Sequence, residues 1–223
     1  MNKVNPIVIS IEGNIGGGKS TMLEHIKKLF PEYHIIDEPV DSWLGMIDES
    51  GKSLLEHFYT DKKRWSYTFQ NCAFITRFTT MNKAIKDWQN ECIKDPSQLQ
   101  NNVFITERSV LTDRYVFAEM LKDSGDLTKL EWDLYRKWFD YFAIDLPIGG
   151  IIEIDTDFDV CAERIKMRNR KGEESIPIEY LESLETYCRK WLSSSDLPLL
   201  RISSEPEELN KFRSFIDSLR SMP

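Results

Sequence analysis

The run Gly13-Asn14-Ile15-Gly16-Gly17-Gly18-Lys19-Ser20 has the spacing of a phosphate-binding loop, and Thr21 follows it directly. Glycines at these places let backbone N–H groups wrap a string of phosphates. The Lys19 amine supplies a point charge for β- and γ-phosphates, and the Ser20 hydroxyl offers a ligand to Mg²⁺. A β-branched apolar segment (6–12) precedes the loop and a helical pattern (20–30) follows it, so the helix N-terminus faces the bound anion. The loop says nothing about what receives a phosphate, because GTPases, ATPases and small-molecule kinases share it. A guanine-reading N-K-x-D motif fails at Asn82-Lys83, where Ala84-Ile85 follow.

Two other predicted strands end in carboxylate-bearing dipeptides: Glu38-Pro39 and Glu107-Arg108. A hydroxyl acceptor loses a proton as it attacks phosphorus, so a carboxylate such as Glu38 suits it. A phosphate acceptor mainly needs more cations. Arg164, Lys166, Arg168, Arg170 and Lys171 form a basic cluster in a chain of net charge −8. The planar arginine fork fits phosphate oxygens two at a time.

The elements that must position these groups alternate. Strands are expected over 6–12, 33–39, 102–109, 149–155 and 197–202. Helices are expected over 20–30, 52–60, 62–92, 109–123, 128–142, 157–168, 177–194 and 205–220. That order predicts an α/β fold with a five-stranded parallel sheet flanked by helices, in one domain over residues 1–223. A composition of 41% hydrophobic and 12% aromatic residues is enough for its core. The acidic charge argues against nucleic-acid and anionic-membrane partners. Four scattered cysteines without a CxxC, and three histidines without metal-ligand spacing, argue against structural zinc. They read as reduced thiols of a cytoplasmic protein, with nuclear entry left open. No apolar run is long enough to span a membrane. The first apolar run stands too near Met1 for a signal or transit peptide to be expected.

Five blocks occur in order: SIEGNIGGGKST (10–21), EPVDSW (38–43), RWSYTFQNCAFITRF (64–78), ERSVLTDRYVFA (107–118) and RIKMRNRKGEESIPIEYLESLE (164–185). Together they resemble the deoxyribonucleoside kinase family of deoxycytidine, deoxyguanosine and insect-type multisubstrate kinases, over about residues 7–195. The resemblance implies a P-loop kinase fold with a basic lid at about 164–176, and a 5′-kinase that uses ATP or another triphosphate with Mg²⁺. It implies Glu38 as general base, Arg108 as its partner and phosphoryl stabiliser, and Glu107 with Ser20 as Mg²⁺ ligands. Tyr59 and Glu173 would hold the sugar 3′-hydroxyl, and Gln70 would read the base edge. Trp43, Phe69 and Phe117 would wall the base. Arg164, Arg168 and Arg170 would clamp donor phosphates.

Three positions that differ between branches of that family correspond to Ala73, Arg77 and Asp113. Gln70, Ala73 and Arg77 share one helix face. An ionised Asp113 accepts hydrogen bonds, so it favours an exocyclic amino group over the thymine carbonyl. Arg77 would pair with it and fill the space of the thymine methyl. Deoxycytidine and purine deoxynucleosides are therefore expected over thymidine. Two alternatives stand beside this reading: a thymidylate-type nucleoside monophosphate kinase and a non-catalytic nucleotide-binding subunit. The apolar surface of helices 62–92 and 109–142 suggests a homodimer.

Overall fold

The computed structural model describes residues 4–143, 146–170, 172–173, 176–205 and 208–221. Lys171, the last residue of the basic cluster, lies outside them. Five strands, β1 (Ile7–Glu12), β2 (His34–Ile36), β3 (Val103–Glu107), β4 (Ile148–Ile154) and β5 (Leu199–Ile202), form one sheet in the order β2-β3-β1-β4-β5. Every pairing is parallel. Central strands read as continuous apolar runs because helices cover both faces. Ile9, Ile105, Ile151 and Ile152 are 0% exposed, and burial of each such side chain stabilises by about 1.5–3 kcal/mol.

On one face lie α1 (Lys19–Leu29) and α10 (Leu209–Arg220), whose Met22, Leu23, Ile26, Phe212 and Ile216 share a core with β1 and β3. Between β2 and β3 come α2 (Val40–Gly45), α3 (Leu54–Thr60) and the 33-residue α4 (Lys62–Lys94). Ser53 and Glu56 close a capping box on α3, and Asp61 caps α4 by accepting the Arg64 N–H at 3.1 Å. The buried stripe of α4 runs Phe69, Gln70, Ala73, Phe74, Arg77, Met81, Ile85 and Trp88, at helical spacing. Gln70 and Arg77 interrupt it, and there the helix lines a cleft.

After β3 the chain forms α5 (Val110–Thr112), a π-helical turn (Asp113–Ala118) and α6 (Glu119–Asp123). Next come α7 (Lys129–Phe142), α8 (Phe158–Arg168) and α9 (Ile178–Ser194). The segment expected as one helix over 109–123 thus carries a π turn, a feature frequent at functional sites. The second strand is shorter than expected, so Glu38 stands two residues beyond its end and Pro39 initiates α2. No described helix is long and apolar enough to cross a membrane.

Candidate active site

Both clefts open at the carboxyl ends of the strands, the usual ligand edge of an open α/β sheet. The donor side is lined by Gly16, Gly18, Lys19, Ser20 and Thr21 from the loop and α1. Arg164, Arg168 and Arg170 line it as well. The glycines are required: a Cβ on Gly13 would stand 2.7 Å from the Ile154 carbonyl oxygen, and one on Gly16 would stand 2.6 Å from that of Cys161. Both have positive φ, at 141° and 76°. The Asn14 amide donates to the Leu181 carbonyl at 2.8 Å and its Oδ1 accepts the Ile15 N–H, which ties the loop to α9. Gly17 N–H donates to the Asn14 carbonyl at 3.1 Å.

Lys19 Nζ donates to the Asn14 carbonyl at 2.7 Å and lies 3.9 Å from Glu107 Oε1. Burial, aided by the Arg108 charge, pulls its pKa down to about 8. Ser20 Oγ donates to the same Glu107 oxygen at 3.2 Å. One hydroxyl and one carboxylate side by side fit Mg²⁺, which keeps waters and takes phosphate oxygens rather than a full protein cage. No cluster of three or more His, Cys, Asp or Glu side chains with metal-binding arrangement occurs among the described residues.

The acceptor cleft meets the donor side at Gly16, Lys19 and Glu107. Glu38, Trp43, Tyr59, Phe69, Gln70, Ala73, Arg77, Arg108, Asp113, Phe117 and Glu173 all line it, as does Ile15. Trp43 stands edge-on to Phe69 with centroids 5.3 Å apart, and the Arg108 guanidinium lies 5.3 Å over the Phe117 ring. Gln70 is 1% exposed and its Oε1 has no hydrogen-bond partner, so an acceptor stands ready in the cleft. Val40, Leu55 and Phe58 also line it, and Phe58 stacks on Phe69 at 4.5 Å. Sequence reasoning missed these three; Phe58, beside Tyr59 on a short capped helix, carried the only available signal.

Two guanidinium groups meet on one carboxylate oxygen. Arg108 Nη1 donates to Glu38 Oε1 at 2.8 Å and Arg77 Nη2 donates to the same oxygen at 2.6 Å. Burial pushes the Glu38 pKa up, but Arg108, Arg77 and Lys19 outweigh it and hold the carboxyl well below the usual range. No described donor engages Oε2. Arg108 has φ 58°, a left-handed conformation that a non-glycine residue keeps only under constraint. Its N–H donates to the Ile11 carbonyl at 2.9 Å and its carbonyl accepts from Thr106 Oγ1 at 2.9 Å.

Arg77 Nε donates to both Asp113 oxygens at 3.1 Å, the pair that the sequence suggested. Burial raises the Asp113 carboxyl pKa despite Arg77. Arg168 and Arg170 both reach Glu173, the latter at 3.1 Å, while Arg164 Nη2 donates to Ser204 Oγ at 3.2 Å. Glu173 is 4% exposed, and two arginines satisfy a carboxylate so placed. Burial, then the Glu173 charge, raises the Tyr59 phenol pKa.

The profile of the deoxynucleoside kinase family matches residues 9–221. Human deoxycytidine kinase is 31% identical, over 95% of this chain and 89% of its own length. Chicken deoxycytidine kinase 2 is 36% identical, over 82% and 73%. The mitochondrial deoxyguanosine kinase of Xenopus laevis is 34% identical, over 83% and 72%. With a parallel sheet, a phosphate loop and an acceptor cleft at the strand ends, this similarity across nearly the whole chain leads to one assignment: the chain belongs to the deoxynucleoside kinase family, enzymes that phosphorylate deoxynucleosides from a nucleotide donor.

Proposed function

We propose that this enzyme transfers the γ-phosphoryl group of ATP to the 5′-hydroxyl of deoxycytidine and purine deoxynucleosides in preference to thymidine. The observation that carries this reading is the Glu38 carboxylate: Oε1 is held by two arginines and Oε2 is left for a proton, in the cleft that Gln70 also lines. Glu38 accepts the 5′-hydroxyl proton as that oxygen attacks phosphorus. Arg108 orients Glu38 and meets charge developing on the transferred group. Tyr59 and Glu173 take the 3′-hydroxyl. Gln70 pairs with the base between Phe69, Trp43 and Phe117, and Ala73 leaves it room.

The P-loop amides, Lys19, Thr21 and Arg164 hold the donor phosphates, with Arg168 and Arg170 from the lid. Ser20 and Glu107 would hold Mg²⁺, which when bound screens charge on the β- and γ-phosphates. Four free cysteines, two of them buried, fit action in the reducing cytoplasm, where the product enters nucleotide salvage.

A panel of four deoxyribonucleosides with ATP and UTP tests the substrate reading. Thymidine is expected to show kcat/KM at least roughly tenfold below the best substrate, because Asp113 faces its carbonyl with no hydrogen to accept. Thymidine turnover above that of all three amino-bearing nucleosides would overturn the assignment of Asp113 and Arg77.

The outer faces of α4 and α7 support a homodimer. Leu134, Trp138 and Tyr141 on α7 are 44%, 47% and 75% exposed, and Ile75 on α4 is 44% exposed. Exposed apolar side chains gathered in this way favour association. Sedimentation at micromolar concentration should give twice the chain mass of 26.2 kDa. A 26.2 kDa species there would rule the dimer out.

A further inference from the structure

Arg77 makes a contact that pairing with Asp113 does not require. Its Nη2 reaches Glu38 Oε1 at 2.6 Å, closer than Nε comes to either Asp113 oxygen at 3.1 Å. Nη1 donates to the Glu107 backbone carbonyl at 3.1 Å. The side chain is 7% exposed, so its whole fork is spent inside the protein. One planar group therefore joins three elements: the π turn through Asp113, the segment after β2 through Glu38, and the end of β3 through Glu107.

We propose that Arg77 is a positioning residue for phosphoryl transfer itself, passing the occupancy of the base site at Asp113 to the orientation of Glu38. The proposal rests on the reading of Glu38 as the base. A guanidinium is rigid, and its donors cannot shift on one carboxylate without shifting on the other. A base amino group donating to Asp113 orders that carboxylate, hence Arg77, hence Glu38. A base carbonyl in the same place repels Asp113 and disturbs the chain at its first link. Selection of the base then appears in the rate of the chemical step as well as in binding.

The other groups around Glu38 fit this division of labour. Arg108 shares Oε1 at 2.8 Å and Lys19 adds its charge from α1. Asp113 and Tyr59 also interact with it electrostatically, and Glu107 and Glu173 line the same cleft. Arg108 answers to the phosphoryl group and Lys19 to the donor. Of these three cations, Arg77 is the one that donates hydrogen bonds to Asp113.

A double-mutant cycle tests the proposal, with single-turnover rates and nucleoside Kd measured for wild type, Arg77→Met, Glu38→Gln and the double variant. Arg77→Met is expected to slow the chemical step roughly tenfold in wild type and less than about twofold in the Glu38→Gln background. Its effect on Kd is expected to be equal in both. The same rate loss in both backgrounds, or a change in Kd alone, would overturn the proposal. Arg77→Lys keeps the buried charge but cannot span both carboxylates, and it is expected to bind nucleoside and still react slowly. A full rate in Arg77→Lys counts against the proposal, and this variant serves if Arg77→Met does not fold. Wild-type-like turnover in Glu38→Gln alone would instead refute Glu38 as the base and leave the geometry of Arg77 unexplained.

Discussion

Glu38→Gln is expected to lower the rate of phosphoryl transfer by about 10²- to 10⁴-fold, with little change in nucleoside KM. The substitution is close to isosteric. Its carbonyl oxygen can replace Oε1 as the acceptor for Arg77 Nη2 and Arg108 Nη1, which now stand at 2.6 and 2.8 Å. Its amino group then occupies the place of Oε2, and an amide nitrogen cannot take a proton. The loss corresponds to roughly 2.7–5.5 kcal/mol of transition-state stabilisation. In a loose transition state the nucleophile bonds little and its proton leaves late, which makes the loss smaller. Pre-steady-state rates measure it. A rate within about tenfold of wild type would mean that the proton departs by another route.

The contrast between what the sequence predicts and what the fold adds follows the range of each interaction. The phosphate loop was legible because its chemistry is local: Gly13 to Ser20 carry the donor spacing within one turn between strand and helix. Strand alternation predicted the sheet for the same reason. The short second strand was not legible. Residues 33–39 read as extended, yet β2 pairs only with β3, and the ladder stops at Ile36. The Val40–Gly45 helix is too short to show periodicity. The π turn carries no local mark, since VLTDRYVFAEML reads as a regular amphipathic helix. It places Asp113 and Phe117 at the cleft while Val116 and Ala118 stay in the core.

The charged contacts divide in the same way. An Arg77–Asp113 pair could be reasoned from the chemistry that a base demands. The Arg77–Glu38 contact, across 39 positions, could not, because both residues already had partners assigned. Nor could the pairing of Arg168 and Arg170 with Glu173. Those three residues are neighbours in sequence, but only the burial of Glu173 shows that it needs counter-charges.

Glu12 is the largest case of the second kind, and its replacement by alanine is expected to destabilise the fold by about 2–4 kcal/mol. It ends β1, is 0% exposed, and no sequence signal marked it. Ser10 Oγ donates to it, Ser109 Oγ donates at 3.1 Å and Thr112 Oγ1 donates at 2.5 Å. Alanine would leave three buried hydroxyls without this acceptor, plus a cavity. For a chain of this length the Tm should fall by roughly 5–15 °C. Ser109 follows Arg108, so the same network steadies the left-handed residue whose guanidinium holds Glu38. Loss of activity should therefore accompany loss of stability in Glu12→Ala. Glu12→Gln keeps one acceptor oxygen and should retain most of both. Burial raises the Glu12 pKa above its ordinary 4.5 in spite of these hydrogen bonds. A raised folded-state value makes its contribution to stability full below 4.5 and progressively lost as pH rises through the folded pKa. Because glutamine does not titrate, wild type should gain stability relative to Glu12→Gln as pH falls from 8 towards 5. Chemical denaturation of both proteins at the two pH values measures that difference. A constant difference would mean that Glu12 has the same proton affinity folded and unfolded, and that its hydroxyl partners fully offset its burial.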